Sequence, residues 1–152
     1  MTDLKTELLF EMSADFAEPQ DVGATPAGTR RIIPVAGGTF AGPKLKGAVL
    51  PGGGDWLLIR PDSVRQLDVR ATLRTDDGHL IYVSYPGLFD VSSEVFQRLL
   101  RGEAVAPSEY YFRITPVFET ASEKYGWLNR LVAVGVGTRT PTGVAYSVYA
   151  IL

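Results

Sequence analysis

Short stretches of alternating apolar and polar residues, each cut off by Gly, Pro or Asp, run the length of this 152-residue chain. KTELLFEMS (5–13), TRRIIPV (29–35), TFAGPKLKGAVL (39–50), WLLIR (56–60), LDVRATLRT (67–75), HLIYVSY (79–85), YYFRIT (110–115), WLNRLVAVGVG (127–137) and VAYSVYAIL (144–152) all read as strands. An extended backbone sends successive side chains to opposite faces, so each segment offers one face to a core. Strands this closely spaced, with little helix between them, point to an antiparallel sandwich or barrel rather than to βαβ units. The expectation is an all-β chain forming a single domain over residues 1–152.

One helix interrupts the pattern. SSEVFQRLLRG (92–102) has Ser92 as a cap, Val95, Phe96, Leu99 and Leu100 on one face, and Gly102 as a stop. A lone amphipathic helix in an all-β chain covers an open barrel end or a sheet edge.

TDDG (75–78) is the clearest turn. Asp76 and Asp77 suit the centre of a type I turn, and Gly78 can take the left-handed conformation that closes a three-residue loop. That register pairs Thr72 with Tyr82 and Arg70 with Ser84, whereas a two-residue loop would set Arg70 beside Tyr85. One face of the hairpin then carries Val69, Ala71, Leu73, Ile81 and Val83. The other carries Asp68, Arg70, Thr72, Arg74, Tyr82 and Ser84. This polar face has two placements open to it: an outer surface in water, or the wall of a partly polar lumen.

GGTFAGPKLKGAVLPGGGDW (37–56) holds seven glycines, which raises the question of a phosphate-binding loop. A Walker A loop needs G-x-x-x-x-G-K-[ST] leading into a helix. Gly37 and Gly42 have the spacing, but Pro43 stands where lysine belongs, and no helical pattern follows. Glycines within strands mark bends, bulges or close backbone approaches. Gly42-Pro43 and Gly47 are expected to bend a long strand at barrel corners, and Pro51 to Gly54 to form a wide turn. That turn delivers Asp55 and Trp56 to the start of a strand, with two placements open: a carboxylate and an indole facing a ligand at a barrel mouth, or, the commoner case, a carboxylate in water beside a core tryptophan.

Composition removes several chemistries. With no cysteine, disulfides, thiolate nucleophiles and thiolate metal sites are absent. His79 is the sole histidine, which leaves neither a metal site nor a Ser-His-Asp triad in view. Lys5, Lys44, Lys46 and Lys124 sit in polar or turn contexts, so no pyridoxal phosphate lysine stands out. A net charge of -2 gives no basic field for nucleic acid or anionic membrane. No apolar run approaches a membrane span, and MTDLKTELLF lacks the order of a signal peptide, so a cytoplasmic location is expected. Proton transfer would then fall to Asp, Glu or Tyr, with no cofactor expected.

A second aromatic and charged cluster occupies YYFRITPVFETASEKYGWLNR (110–130). Tyr111, Arg113, Thr115, Val117 and Glu119 share one side if the strand runs through Pro116, and Trp127 and Asn129 share a face after the connection. Arg113 and Glu119 are candidates for an ion pair.

GATPAGTRRIIPVAGGTFAGPKLKGAVLPGGGDW, LDVRATLRTDDGHLIYV, EYYFRITPVFET and YGWLN, in this order, resemble the bacterial and fungal family catalogued as domain of unknown function 3237, also called uncharacterised protein family 0311. The resemblance spans essentially the whole chain. It implies a closed or nearly closed antiparallel β-barrel of about eight strands, to which the residues at 92–102 add the one short helix. It also singles out Asp55, Trp56, Asp68, Arg70, Tyr82, Glu119, Trp127 and Asn129 as residues of family motifs. Val117 departs from the pattern, because members often carry arginine between the proline and the phenylalanine.

Two functions follow as expectations. One is a cofactor-free acid–base enzyme (isomerase, lyase or Michael-type cyclase) acting on a small, partly apolar carbonyl compound inside the barrel. Asp55, Glu119 and Tyr82 would be catalytic, with Trp56, Asp68, Arg70, Arg113, Trp127 and Asn129 binding the substrate. The other is a non-catalytic, lipocalin-like binder of the same class of ligand. VAVGVG and VAYSVYAIL lack the polar alternation of water-facing strands, so a homo-oligomer is compatible with both.

Overall fold

The computed structural model describes residues 2–152. The strands in chain order are β1 (Thr6–Phe16), β2 (Gln20–Thr25), β3 (Gly28–Ala41), β4 (Lys46–Val49), β5 (Gly54–Ile59) and β6 (Arg65–Thr75). They continue as β7 (Leu80–Asp90), β8 (Tyr111–Ile114), β9 (Val117–Glu119), β10 (Val132–Arg139) and β11 (Gly143–Ile151), with helix α1 (Ser93–Leu100) after β7. All strand pairs are antiparallel and the sheet closes on itself: β11 returns to β1, and β7 pairs back with β6. β4 and β5 lie end to end between β3 and β6, and β8 and β9 lie end to end against β7. The result is an eight-stave antiparallel barrel, with β2 as an extra flap on β3. Among the described residues no helix is long and apolar enough to cross a membrane.

Gly42 and Pro43 do not bend one continuous strand. They turn the chain back, so that Ala41 pairs with Lys46 and Gly38 with Val49 in a β3–β4 hairpin. WLN (127–129) is likewise not strand but part of a 3-10 helix, Gly126–Arg130. Around Pro116 the backbone breaks into β8 and β9, yet alternation survives the break: Phe112, Ile114 and Phe118 are buried while Tyr111, Arg113 and Glu119 are exposed. The expected 67–85 register is present, with Thr72 opposite Tyr82 and Arg70 opposite Ser84, and Gly78 takes a φ of +90°.

Closure settles the two open faces of that hairpin. Leu67, Val69, Ala71, Leu73, Ile81 and Val83 point into the barrel, because only the interior removes them from water. Their polar neighbours therefore face out. One end of the barrel is filled. Phe10 packs edge to face on Phe40 and on Phe118, with centroids 5.5 and 5.9 Å apart, and Leu128 and Tyr125 close that end from the 3-10 region. Each fully buried ring here contributes about 2–3 kcal/mol through removal from water. The hydrogen bond from the Tyr125 hydroxyl to Asp77 Oδ1 at 2.9 Å fastens this plug to the 75–78 turn.

The opposite end is covered instead of filled. Ser92 caps α1 by accepting the Val95 N–H at 3.1 Å. The apolar stripe Val95, Phe96 and Leu99 then packs on the rim of the core. Beneath it the barrel is hollow.

Candidate functional site

The hollow is a cavity of about 130 Å³ lined by inward residues from all eight staves. Asp55 of β5 projects into it between the outward glycine turn and Leu57, facing Tyr85 of β7 and Tyr146 of β11. Phe89, Phe112, Ile33 and Val35 supply apolar wall. At the mouth, under Phe96, stand Arg31 of β3, Arg65 of β6 and Arg139 of β10.

A defect in the barrel wall holds Asp55 in place. Along β5 and β6, Gly54 pairs with Arg70 and Asp55 with Val69, and pairing resumes only at Leu58 with Gln66. At the missing rung the Asp68 N–H donates to Asp55 Oδ1 at 3.0 Å from inside. The Trp56 carbonyl accepts from Arg30 Nη1 at 2.7 Å from outside. Two side chains thus satisfy the donor and acceptor that a continuous ladder would have paired with each other. The second carboxyl oxygen, Oδ2, is left to the cavity.

Burial pushes the Asp55 carboxyl up to about 6, the largest influence on it. The Asp68 N–H and the Arg30 charge work the other way, while the Asp68 carboxylate adds to the rise. Tyr85 and Tyr146 pack edge to face with centroids 5.5 Å apart. Burial holds both phenols above their ordinary range, and the Asp55 charge pushes in the same direction. Near neutral pH the cavity therefore presents one ionisable base and two hydroxyls that keep their protons.

Replacing Arg30 tests the role of the wall defect. In Arg30→Met the Trp56 carbonyl is free to recover the Asp68 N–H, which strips Asp55 of its donor and of a nearby cation. The Asp55 pKa is expected to rise further, by about one unit, in a carbon-detected NMR titration of the aspartate carboxyls. An unchanged value would show that Arg30 does not govern it.

The other residues singled out in the sequence lie elsewhere. Trp56, Asp68, Arg70 and Tyr82 do come together, but in a groove on the outer wall. There the Arg70 guanidinium sits 5.4 Å from the Trp56 ring centroid and 3.8 Å from Asp68 Oδ1. Glu119 is directly opposite Tyr82 in the β7–β9 ladder, on the same outer face. Strand parity forces this arrangement: residue 55 points in, so residue 56 points out, and the sheet separates the groove from Asp55. Arg113 forms no pair with Glu119. Its guanidinium lies 4.8 Å from the Tyr111 ring centroid, and Nη1 donates to the Phe112 carbonyl at 2.9 Å.

Trp127 and Asn129 are at the filled end. Lys44 Nζ lies 5.3 Å from the centroid of Trp127. Asn129 clamps the backbone of Thr120, accepting its N–H at 2.8 Å and donating to its carbonyl at 2.9 Å. Val117, where relatives often carry arginine, is 63% exposed on the outer face, so this departure leaves the cavity unaltered. Tyr85, Tyr146, Arg31, Arg65 and Arg139 were not singled out. Each shares the parity of its strand's buried apolar residues, which is the signal that marks them. Among the described residues no group of three or more His, Cys, Asp or Glu side chains converges to hold a metal ion.

A UPF0311 protein of Rhodopseudomonas palustris is 36% identical over 149 residues, covering 98% of this chain and 97% of that one. A β-barrel-like protein from Acinetobacter baumannii superimposes with a TM-score of 0.87 at 42% identity, covering 100% of this chain and 98% of its own. More distant are two fungal proteins. An enzyme from Penicillium herquei shares the fold, with a TM-score of 0.75 at 22% identity over 100% of this chain and 97% of its own. The PR-toxin biosynthesis cluster protein 7 of Penicillium roqueforti is 26% identical over 82% of this chain and 77% of its length. Residues 4–151 match the model of the family described as Protein of unknown function (DUF3237), and the chain belongs to that family.

Proposed function

We propose that the protein is a cofactor-free acid–base enzyme acting on a small, partly apolar carbonyl compound held in the barrel. The observation that carries this reading is the enclosure of the Asp55 carboxyl with two tyrosine hydroxyls in a chamber whose other walls are mainly apolar. Asp55 Oδ2 would take the proton from the carbon next to the carbonyl, and the C–H electron pair would become the enolate double bond. Tyr85 and Tyr146 would donate hydrogen bonds to the oxygen as it gains charge. Return of the proton at another carbon gives an isomerase. Expulsion of a group from the next carbon gives a lyase. In the reverse sense, attack of an internal nucleophile on a conjugated alkene, with the proton delivered to the α-carbon, gives a Michael-type cyclase.

A base near 6 is ionised at neutral pH yet basic enough to act, which suits the role. A fungal protein described as an enzyme on the same barrel supports the catalytic reading. The test is solvent exchange. Cyclic ketones and enones incubated with the protein in deuterium oxide are expected to gain deuterium next to the carbonyl, followed by NMR. Compounds that bind without exchange or conversion would support a lipocalin-like binder instead, a reading favoured by the aromatic lining of Phe89, Phe96 and Phe112.

A further inference from the structure

Three arginines converge on the cavity mouth from staves that are far apart in sequence, Arg31 from β3, Arg65 from β6 and Arg139 from β10. Each is partly buried. The Arg65 guanidinium lies 4.0 Å from the Phe96 ring centroid, and that of Arg139 lies 5.3 Å from the Phe16 centroid. Among the described residues neither has a carboxylate within ion-pair distance or a side-chain hydrogen bond. Arg31 has one counter-ion, Asp21, with Nε 3.3 Å from Oδ1, but the N–H is not aligned for a hydrogen bond. The Nε atoms of Arg31 and Arg139 are both buried without a hydrogen-bond partner.

This arrangement is costly for an empty barrel. Like charges in a partly desolvated site repel, and a buried guanidinium donor without an acceptor loses its hydration uncompensated. The mutual repulsion is visible in the ionisation of Arg65 and Arg139, which burial first and the Arg31 charge second push down. An oxyanion at the mouth removes both costs at once: it offers acceptors to the orphaned N–H groups and neutralises the field. Behind the arginines the chamber is mainly apolar apart from Asp55, Tyr85 and Tyr146, and it is of limited size, about 130 Å³, where a cavity of about 150 Å³ holds a single benzene ring.

We propose that the mouth is an oxyanion-binding subsite, so that the ligand is a one-ring or similarly compact compound with a carboxylate or phosphate held by Arg31, Arg65 and Arg139. Its apolar body extends inward to Asp55, Tyr85 and Tyr146. The placement of the reacting carbonyl at that inner end rests on the acid–base reading above; the anion subsite itself does not. It also gives the ligand a fixed orientation, which a mainly apolar chamber alone would not impose.

The test uses binding and not turnover, so that it stands apart from the exchange assay. Benzoate, phenyl phosphate and benzamide are titrated by calorimetry into the wild type, Asp55→Asn, Arg65→Met and Arg139→Met. At least one of the two anions is expected to bind wild type tenfold or more tightly than benzamide. The preference is expected to survive Asp55→Asn and to fall about tenfold in each arginine variant, while benzamide affinity stays level and reports an intact cavity. The tighter of the two anions identifies the head group. Equal affinity for all three in the wild type, which needs no variant to fold, would overturn the subsite. A preserved anion preference with no deuterium exchange on any carbonyl compound would leave the subsite standing and count against the enzyme.

Discussion

Asp55→Asn is expected to stop deuterium exchange and any net conversion, by about a hundred- to ten-thousand-fold, while making the protein more stable above pH 6. The two effects share one cause. A carboxyl raised to about 6 by burial binds its proton more tightly in the folded protein than in the unfolded chain. Its contribution to stability is therefore fully present below the unfolded pKa and is lost as pH rises through the folded one. Above pH 6 the wild type carries a buried charge with a single hydrogen-bond donor, the Asp68 N–H. Asparagine can accept that N–H through Oδ1 without the charge, so removal of the carboxylate is expected to add about 1–3 kcal/mol at pH 8. Between pH 6 and 4 the advantage should shrink as Asp55 itself becomes neutral. In a denaturant series across pH, the two stability curves should converge in that window. Wild-type exchange should rise with pH through about 6 and then level, with that limb missing in the variant. A variant that loses stability at pH 8 would mean that the carboxylate is structural, and the exchange result would then carry no weight for catalysis.

The same residue shows how far the site could be read from the chain. Asp55 stands out because a carboxylate directly after a glycine turn, at the start of an apolar strand, has no packing reason to be there. Its partners could not be chosen locally. LDVRATLRT and HLIYVSY each carry one polar and one apolar face, and either can line a barrel until the whole sheet is closed. Residues with evident chemistry, Arg70, Tyr82 and Glu119, were the natural choice, and all of them belong to the water-facing parity. The side chains that do share the cavity with Asp55, Tyr85 and Tyr146, sit in phase with Val83 and Val148 and read as core. Arg65 is in phase with Leu67 and Val69, Arg31 with Ile33 and Val35, and Arg139 with Ala133 and Gly137. An arginine in the core phase at the end of a strand is a visible anomaly, but three such anomalies become one mouth only in the folded barrel.

The strand pattern, the capped helix and the register of the 67–85 hairpin were legible, since they depend on spacing alone. The wall defect beside Asp55 was not. It needs Arg30 from β3 and Asp68 from β6 to meet the same interrupted rung of β5, and no local rule joins residues 30, 55 and 68. The glycine stretch lies between these cases: its bends were expected, but the reversal at residue 42 depends on what crosses beneath it.

Gly42→Ala is accordingly the substitution expected to damage the fold most, by about 3 kcal/mol or more. A Cβ at this position would lie 1.8 Å from the Leu9 carbonyl oxygen and 2.9 Å from the Phe10 Cα, both backbone atoms of β1. Backbone can yield only if the strand moves. β1 is held on both sides, with Phe10 paired to Val148 of β11 and Glu11 to Ala41 of β3. A shift of β1 would also pull Phe10 away from Phe40 and Phe118, the packing that fills this end of the barrel. For a chain of this length the loss corresponds to a fall of about 10 °C in the thermal midpoint, or to insoluble protein on expression. Gly52→Ala provides the contrast. There a Cβ would meet nothing within 4 Å, and the cost comes only from a φ of +103°. That backbone penalty is about 1–2 kcal/mol, so Gly52→Ala should fold and keep its cavity. Equal midpoints for the two variants would mean that conformational freedom, and not the crossing of β1, is what glycine supplies at residue 42. A clear gap between them places the constraint in the barrel wall.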